Sequence, residues 1–82
     1  MATVVRIPVE WVRATSGRRR LAARGRTVGA CLAYLAARYP GLVEELAEGC
    51  ELFVNWENVR LRAGLDSAVG PADAIQVVPP RG

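Results

Sequence analysis

Only one stretch of this 82-residue chain is long and regular enough for a full helix, and short strand-like runs flank it. Across residues 28–39, Val28, Cys31, Leu32, Leu35 and Tyr39 fall at 3.6-residue spacing and share one face. Ala30, Ala33, Ala36 and Ala37 add helix propensity, and Arg38 suits the negative end of the helix dipole. Thr27 is the expected N-cap, because its hydroxyl can accept from an unpaired first-turn N–H. Three residues on stands Ala30 rather than Glu or Gln, so the reciprocal capping box is missing. Pro40-Gly41 closes the element. A single amphipathic helix must bury its apolar stripe against something, and here only strands are on offer.

The flanking segments supply those strands. Residues 3–9 alternate, with Thr3, Val5, Ile7 and Val9 on one face and Val4, Arg6 and Pro8 on the other. Trp11 and Val12 extend this strand irregularly, residues 14–17 make a turn, and residues 19–23 return as a hairpin partner that Gly25 breaks. After the helix, residues 42–47 predict one further helical turn. Residues 51–56 alternate, with Leu52 and Val54 facing one way and Phe53 the other. Asn55-Trp56-Glu57-Asn58 reads as a turn and residues 59–62 as a short strand pairing back. Residues 64–69 form a connector in which Leu65 and Val69 plug the core. The last strand covers residues 74–78, with Ile75 and Val77 inward.

The order is strand, strand, helix, then three strands, which is an α+β arrangement. It predicts a β-grasp, with a mixed sheet of four or five strands wrapped round one main helix. If the first and last strands pair in parallel at the sheet centre, the connection between them is more than long enough for the crossover. The expected core is Val5, Ile7, Leu21, Val28, Cys31, Leu32, Leu35, Leu52, Val54, Leu65, Ile75 and Val77. Residues 1–78 are expected to make one domain, and residues 79–82 an exposed C-terminal tail. Pro79 and Pro80 lack ladder donors and favour an extended backbone, and Gly82 carries no side chain, so the end is narrow enough to enter a slot.

Composition narrows the chemistry. The chain has no histidine, which removes the usual neutral-pH proton shuttle and most nucleophile–base pairs. A self-contained enzyme is therefore not expected. Cys31 and Cys50 are the only cysteines; Cys31 lies in the helical pattern and reads as a small buried hydrophobe, so neither a structural disulfide nor a zinc site is expected. No run approaches a membrane span, and the N-terminus lacks a secretion-signal layout, which predicts a cytoplasmic protein. The net charge of +3 hides an asymmetry: residues 1–41 hold eight arginines against Glu10 alone, whereas residues 42–82 hold three against seven acids. Arg18, Arg19 and Arg20 are the densest cluster. They read either as a solvated loop and strand face or as a patch for phosphate or an acidic partner.

The helix TVGACLAYLAARYPGL, the following ELFVNWENVR and the terminal GPADAIQVVPPRG together resemble the ubiquitin-like sulfur carriers. Members of that family include the small subunit of molybdopterin synthase and the sulfur carrier of thiamine biosynthesis. The resemblance covers nearly the whole chain and implies a carrier acting with partner enzymes. An adenylating, E1-like activating enzyme would use ATP on the Gly82 carboxylate, and a sulfur donor would convert the adenylate to a thiocarboxylate. A downstream sulfur-accepting synthase would then take the sulfur. No cofactor is expected on the carrier itself. Gly82 would be the reactive residue, Arg81, Pro80 and Pro79 would line the partner's entry channel, and Val78 and Phe53 would form an apolar docking patch near the tail. One departure stands out: the family ends Gly-Gly, whereas here Arg81 precedes Gly82 and follows Pro80 directly. Two fewer residues shorten an extended reach by roughly 7 Å. A partner fitted to Arg81, further residues beyond this sequence, and a relative without carrier function all remain open.

The alternative is a β-grasp module that only binds: nucleic acid through Arg18, Arg19 and Arg20, or a larger enzyme as its subunit. Nucleic acid is not the expected partner, because no aromatic residue interleaves with those arginines to stack bases. Iron–sulfur ferredoxins share the architecture but need four ligand positions, mostly cysteine, which this chain lacks.

Overall fold

In the computed structural model, residues 2–80 are described. Strand β1 (Thr3–Arg6) pairs antiparallel with β2 (Arg20–Ala23) and parallel with β5 (Ala74–Val78). Strand β3 (Glu51–Val54) pairs antiparallel with β5 on the other side and with the two-residue β4 (Glu57–Asn58). The sheet order is β2-β1-β5-β3-β4, which places the last strand at the centre beside β1, a parallel pair that the long connection permits. Helix α1 (Val28–Arg38) covers one face and α2 (Gly41–Ala47) follows it. This is the β-grasp arrangement the element order predicts.

Alternation in the strands explains which face is covered. Val5, Ile75, Val77, Leu52 and Val54 are buried, together with Val28, Cys31 and Leu35 of α1. Thr27 caps α1, its Oγ1 accepting from the Ala30 N–H at 3.1 Å. Gly25 lies so close to α1 that an added Cβ would stand 2.8 Å from the Cys31 nitrogen, so this position is closed to larger residues.

Four expectations fail, each for a local reason. The first strand stops at Arg6, because Pro8 has no N–H for a ladder, and Val9–Thr15 winds into a 3-10 helix. Val9, expected inward, is exposed, while Trp11 takes the interior position and the 3-10 segment packs against α2. Residues 59–62 do not form the returning strand: two residues of turn suffice, β4 is Glu57–Asn58, and Val59–Leu61 is a 3-10 turn capped by Asn58. Leu65 is exposed rather than plugging the core, and Leu32 is half-buried. Val69 plugs the core as expected, and Trp11, Ala23, Leu42 and Val59 complete it.

Candidate functional site

The end of β5 organises the candidate site. This strand is hydrogen-bonded on both sides, with Val5 opposite Ile75 on one flank and Leu52 opposite Val77 on the other. Its outward residues are therefore fixed by a rigid frame. Val78, opposite Glu51, is half-buried, Pro79 is half-buried and Pro80 is exposed. Arg81 and Gly82, to which the resemblance assigns entry-channel and reactive roles, lie outside the described residues.

Between the sheet's outer face and this strand end lies a concavity of ≈ 560 Å³, lined among others by Arg6, Arg20, Trp56, Gln76, Val78 and Pro79. The ladder registers put Arg20 opposite Arg6, Arg6 opposite Gln76, Gln76 opposite Phe53, and Phe53 opposite Asn58. One row of residues thus crosses all five strands, with arginines at one end and Phe53 followed by Asn58 at the other. Phe53 packs against Trp56, ring centroids 5.9 Å apart.

Trp56 owes its position to the β3–β4 hairpin. Asn55 and Trp56 both have positive φ, 50° and 67°, the left-handed pair that a two-residue hairpin turn demands. Asn tolerates this region, whereas a bulky Trp there is a true outlier. The turn is braced from β5: the Trp56 N–H donates to Gln76 Oε1 at 2.9 Å, and the Asn55 amide donates to Asp73 Oδ1 at 2.8 Å. The Ala74 N–H returns a bond to Asn55 Oδ1, and the Gly70 N–H donates to Asp73 Oδ2. These bonds, first the one from Asn55, hold the Asp73 carboxyl below its ordinary range. Trp56 is 64% exposed, because the tight turn lifts it over the outer face.

The expected patch of Phe53 and Val78 is thus present in part: both are half-buried on the outer side, and Trp56 forms its exposed portion. Sequence reasoning missed Trp56, Arg6 and Gln76. An Asn-Trp pair at a hairpin tip, and an arginine alternating with Val5 and Ile7, were the available signals. Of the arginine cluster, Arg19 and Arg20 line the same concavity, while Arg18 does not.

Cys31 and Cys50 are both free thiols, and burial pushes each above its usual pKa. Among the described residues no group of three or more His, Cys, Asp or Glu is placed to hold a metal ion. No helix among them is long and apolar enough to cross a membrane.

Comparison with known proteins places this geometry. The ThiS family model matches residues 5–82. The sulfur carrier protein CysO of Mycobacterium bovis is 31% identical over 88 residues, spanning 96% of this chain and 95% of its own length. The crystal structure of Mycobacterium tuberculosis CysO superposes with a TM-score of 0.87 at 30% identity, covering 96% of this chain and 99% of that one. CysO in the Amycolatopsis orientalis BexX/CysO complex gives the same TM-score at 28% identity, covering 99% and 98%. The small archaeal modifier protein 1 of Methanosarcina acetivorans, at 22% identity and a TM-score of 0.81 over 96% and 92% of the two chains, shares the fold. With a family match reaching from β1 to the last residue and a curated relative aligned over nearly its full length, this chain belongs to the ThiS family of ubiquitin-like sulfur carriers.

Proposed function

We propose that the chain carries sulfur on its C-terminal glycine and is itself a substrate of partner enzymes rather than a catalyst. A Gly82 carboxylate oxygen attacks the α-phosphorus of ATP in an adenylating enzyme and pyrophosphate leaves. A sulfur nucleophile then attacks the acyl carbon, AMP leaves, and a thiocarboxylate remains. Activation is needed because a carboxylate oxygen is a poor leaving group until it is bonded to phosphate. The thiocarboxylate is then the sulfide source for a downstream synthase. No cofactor stays on the carrier; ATP is consumed in the partner.

The observation that carries this reading is the central position of β5, paired on both sides and running straight into Pro79 and Pro80. A tail that departs from the most constrained strand starts from a fixed point, and two prolines keep its first residues extended. Residues 79–82 would form that tail beyond the domain of residues 1–78. Pro79, Pro80 and Arg81 would lie in the entry channel, with Val78 and Phe53 against its rim. The BexX/CysO complex of Amycolatopsis orientalis supports assembly with a second protein.

The test is intact-protein mass after incubation with ATP, the adenylating enzyme from the same genome and a sulfide donor. The expected change is replacement of one oxygen by sulfur at the C-terminus. A variant lacking Gly82 should show no change while melting like the parent, because a terminal residue contributes little packing. An unmodified parent chain in a reaction where the same enzyme loads another carrier overturns the proposal.

A further inference from the structure

The outer face of the sheet carries a charge arrangement that stability does not explain. Arg6 and Arg20 stand directly opposite each other on neighbouring strands, both exposed, with Arg19 beside them. Like charges in register are destabilising. No carboxylate among the described residues forms an ion pair with either; the one such pair there joins Arg62 to Glu57 at 3.7 Å. Glu10 is the one acid lining the concavity, against Arg6, Arg19 and Arg20. On the far side of β5, Trp56 is held at positive φ and is 64% exposed, a local cost offset only by its contact with Phe53. Both features flank the strand that leads to the tail.

We propose that this face docks a protein partner by two prongs: an acidic patch on the partner meets Arg6 and Arg20, and an apolar pocket receives Trp56. The partner is the adenylating enzyme, so the inference rests on the carrier reading above. Charge complementarity selects an acidic surface, because two adjacent unpaired guanidiniums repel each other until a carboxylate lies between them. Exposed Arg and Trp are also the side chains that most often carry interface energy. Docking on both sides of β5 fixes the tail's direction, so a short tail is aimed rather than searching. Nucleic acid fits the face less well: Phe53 packs against Trp56, and Gln76 separates both from the arginines, so bases find no interleaved stacking platform.

The experiment measures ATP–pyrophosphate exchange by the adenylating enzyme from the same genome, varying carrier concentration and salt. The Arg6→Glu/Arg20→Glu variant should raise the apparent KM about tenfold or more at low salt and flatten its salt dependence. Trp56→Gly should raise KM at all salt concentrations, since its contribution is apolar. Arg38→Glu on the opposite, helical side is the control, with KM changed less than about twofold. Circular dichroism and melting confirm that each variant is folded. Exchange that proceeds with unaltered KM in the double variant overturns the docking face while leaving the carrier reading intact. Absence of sulfur loading in the mass assay removes the carrier reading, and this inference with it. Salt-sensitive binding of a single-stranded RNA of about 20 nucleotides, lost in the double variant, would reassign the face to nucleic acid and overturn the protein partner.

Discussion

The two tryptophans of this chain have opposite fates. Trp11 is 4% exposed and Trp56 is 64% exposed, although each follows a strand by a few residues. Trp11 sits in a 3-10 helix whose first residues bend back, the Trp11 N–H donating to Pro8 O at 3.0 Å, and this turns the indole under the sheet toward α2. Trp56 sits in a hairpin tip whose backbone is fixed by Asn55, Asp73 and Gln76, and its ring is lifted over the outer face. The inner side of the sheet is therefore built for stability and the outer side for presentation. Side-chain hydrophobicity did not sort them; the route of the backbone after the strand did.

The comparison can be broken first at Trp11. Replacing it with Ala should cost about 3–5 kcal/mol, a large part of the stability of so small a domain, read as a lowered denaturation midpoint. If Trp11→Ala melts like the parent, the indole is not a structural member of the core. Next comes Gly25→Ala, also on the inner side, where the new Cβ meets the Ala30 Cβ and Cys31 nitrogen at 2.8 Å. It should cost about 1–3 kcal/mol, because backbone must move to admit it. An unchanged midpoint would show that the segment after β2 can move away from α1 at little cost.

On the outer side the effects should be smaller. Asp73→Asn removes the carboxylate that accepts from Asn55 and Gly70. Since the folded-state pKa of Asp73 is lowered, its contribution is present above the ordinary carboxylate pKa and is lost as pH falls through the lowered value. The variant should be less stable than the parent near neutral pH, and the gap should close as pH falls below the ordinary carboxylate range. A gap independent of pH would mean that shape, not charge, braces the hairpin. Smallest of all is Trp56→Gly, expected to leave stability unchanged or raise it by up to about 1 kcal/mol, because Gly adopts the left-handed conformation without strain. Acrylamide should quench Trp56 and spare Trp11, seen by comparing the parent's fluorescence with that of Trp56→Gly. A marked loss of stability in Trp56→Gly would erase the contrast between the two faces.

Much of this could be read before any coordinates. Helix α1, its Thr27 cap and its end near Pro40 follow from periodicity and capping chemistry, which act over a few residues. The limits of β5 were legible from β-branched residues between Asp73 and Pro79, and its central place beside β1 was compatible with the length of the crossover. The boundaries of β1 and β4 were not, because alternation continues through Val9 and Leu61 even where hydrogen-bond partners end. The candidate site was only half visible: Val78 and Phe53 were legible as outward-facing residues, whereas the concavity joins Arg6, Arg20, Gln76 and Trp56 from four separated segments.

The sequence by itself determined the principal helix and strands and the single covered face, since each depends on local propensity and period. Only the tertiary structure decided which tryptophan is buried, that two arginines stand in register beside the last strand, and that a strained Trp56 faces outward across from them. Those outcomes depend on ladder register and on where a strand loses its partner, and both are set by contacts between residues far apart in the chain.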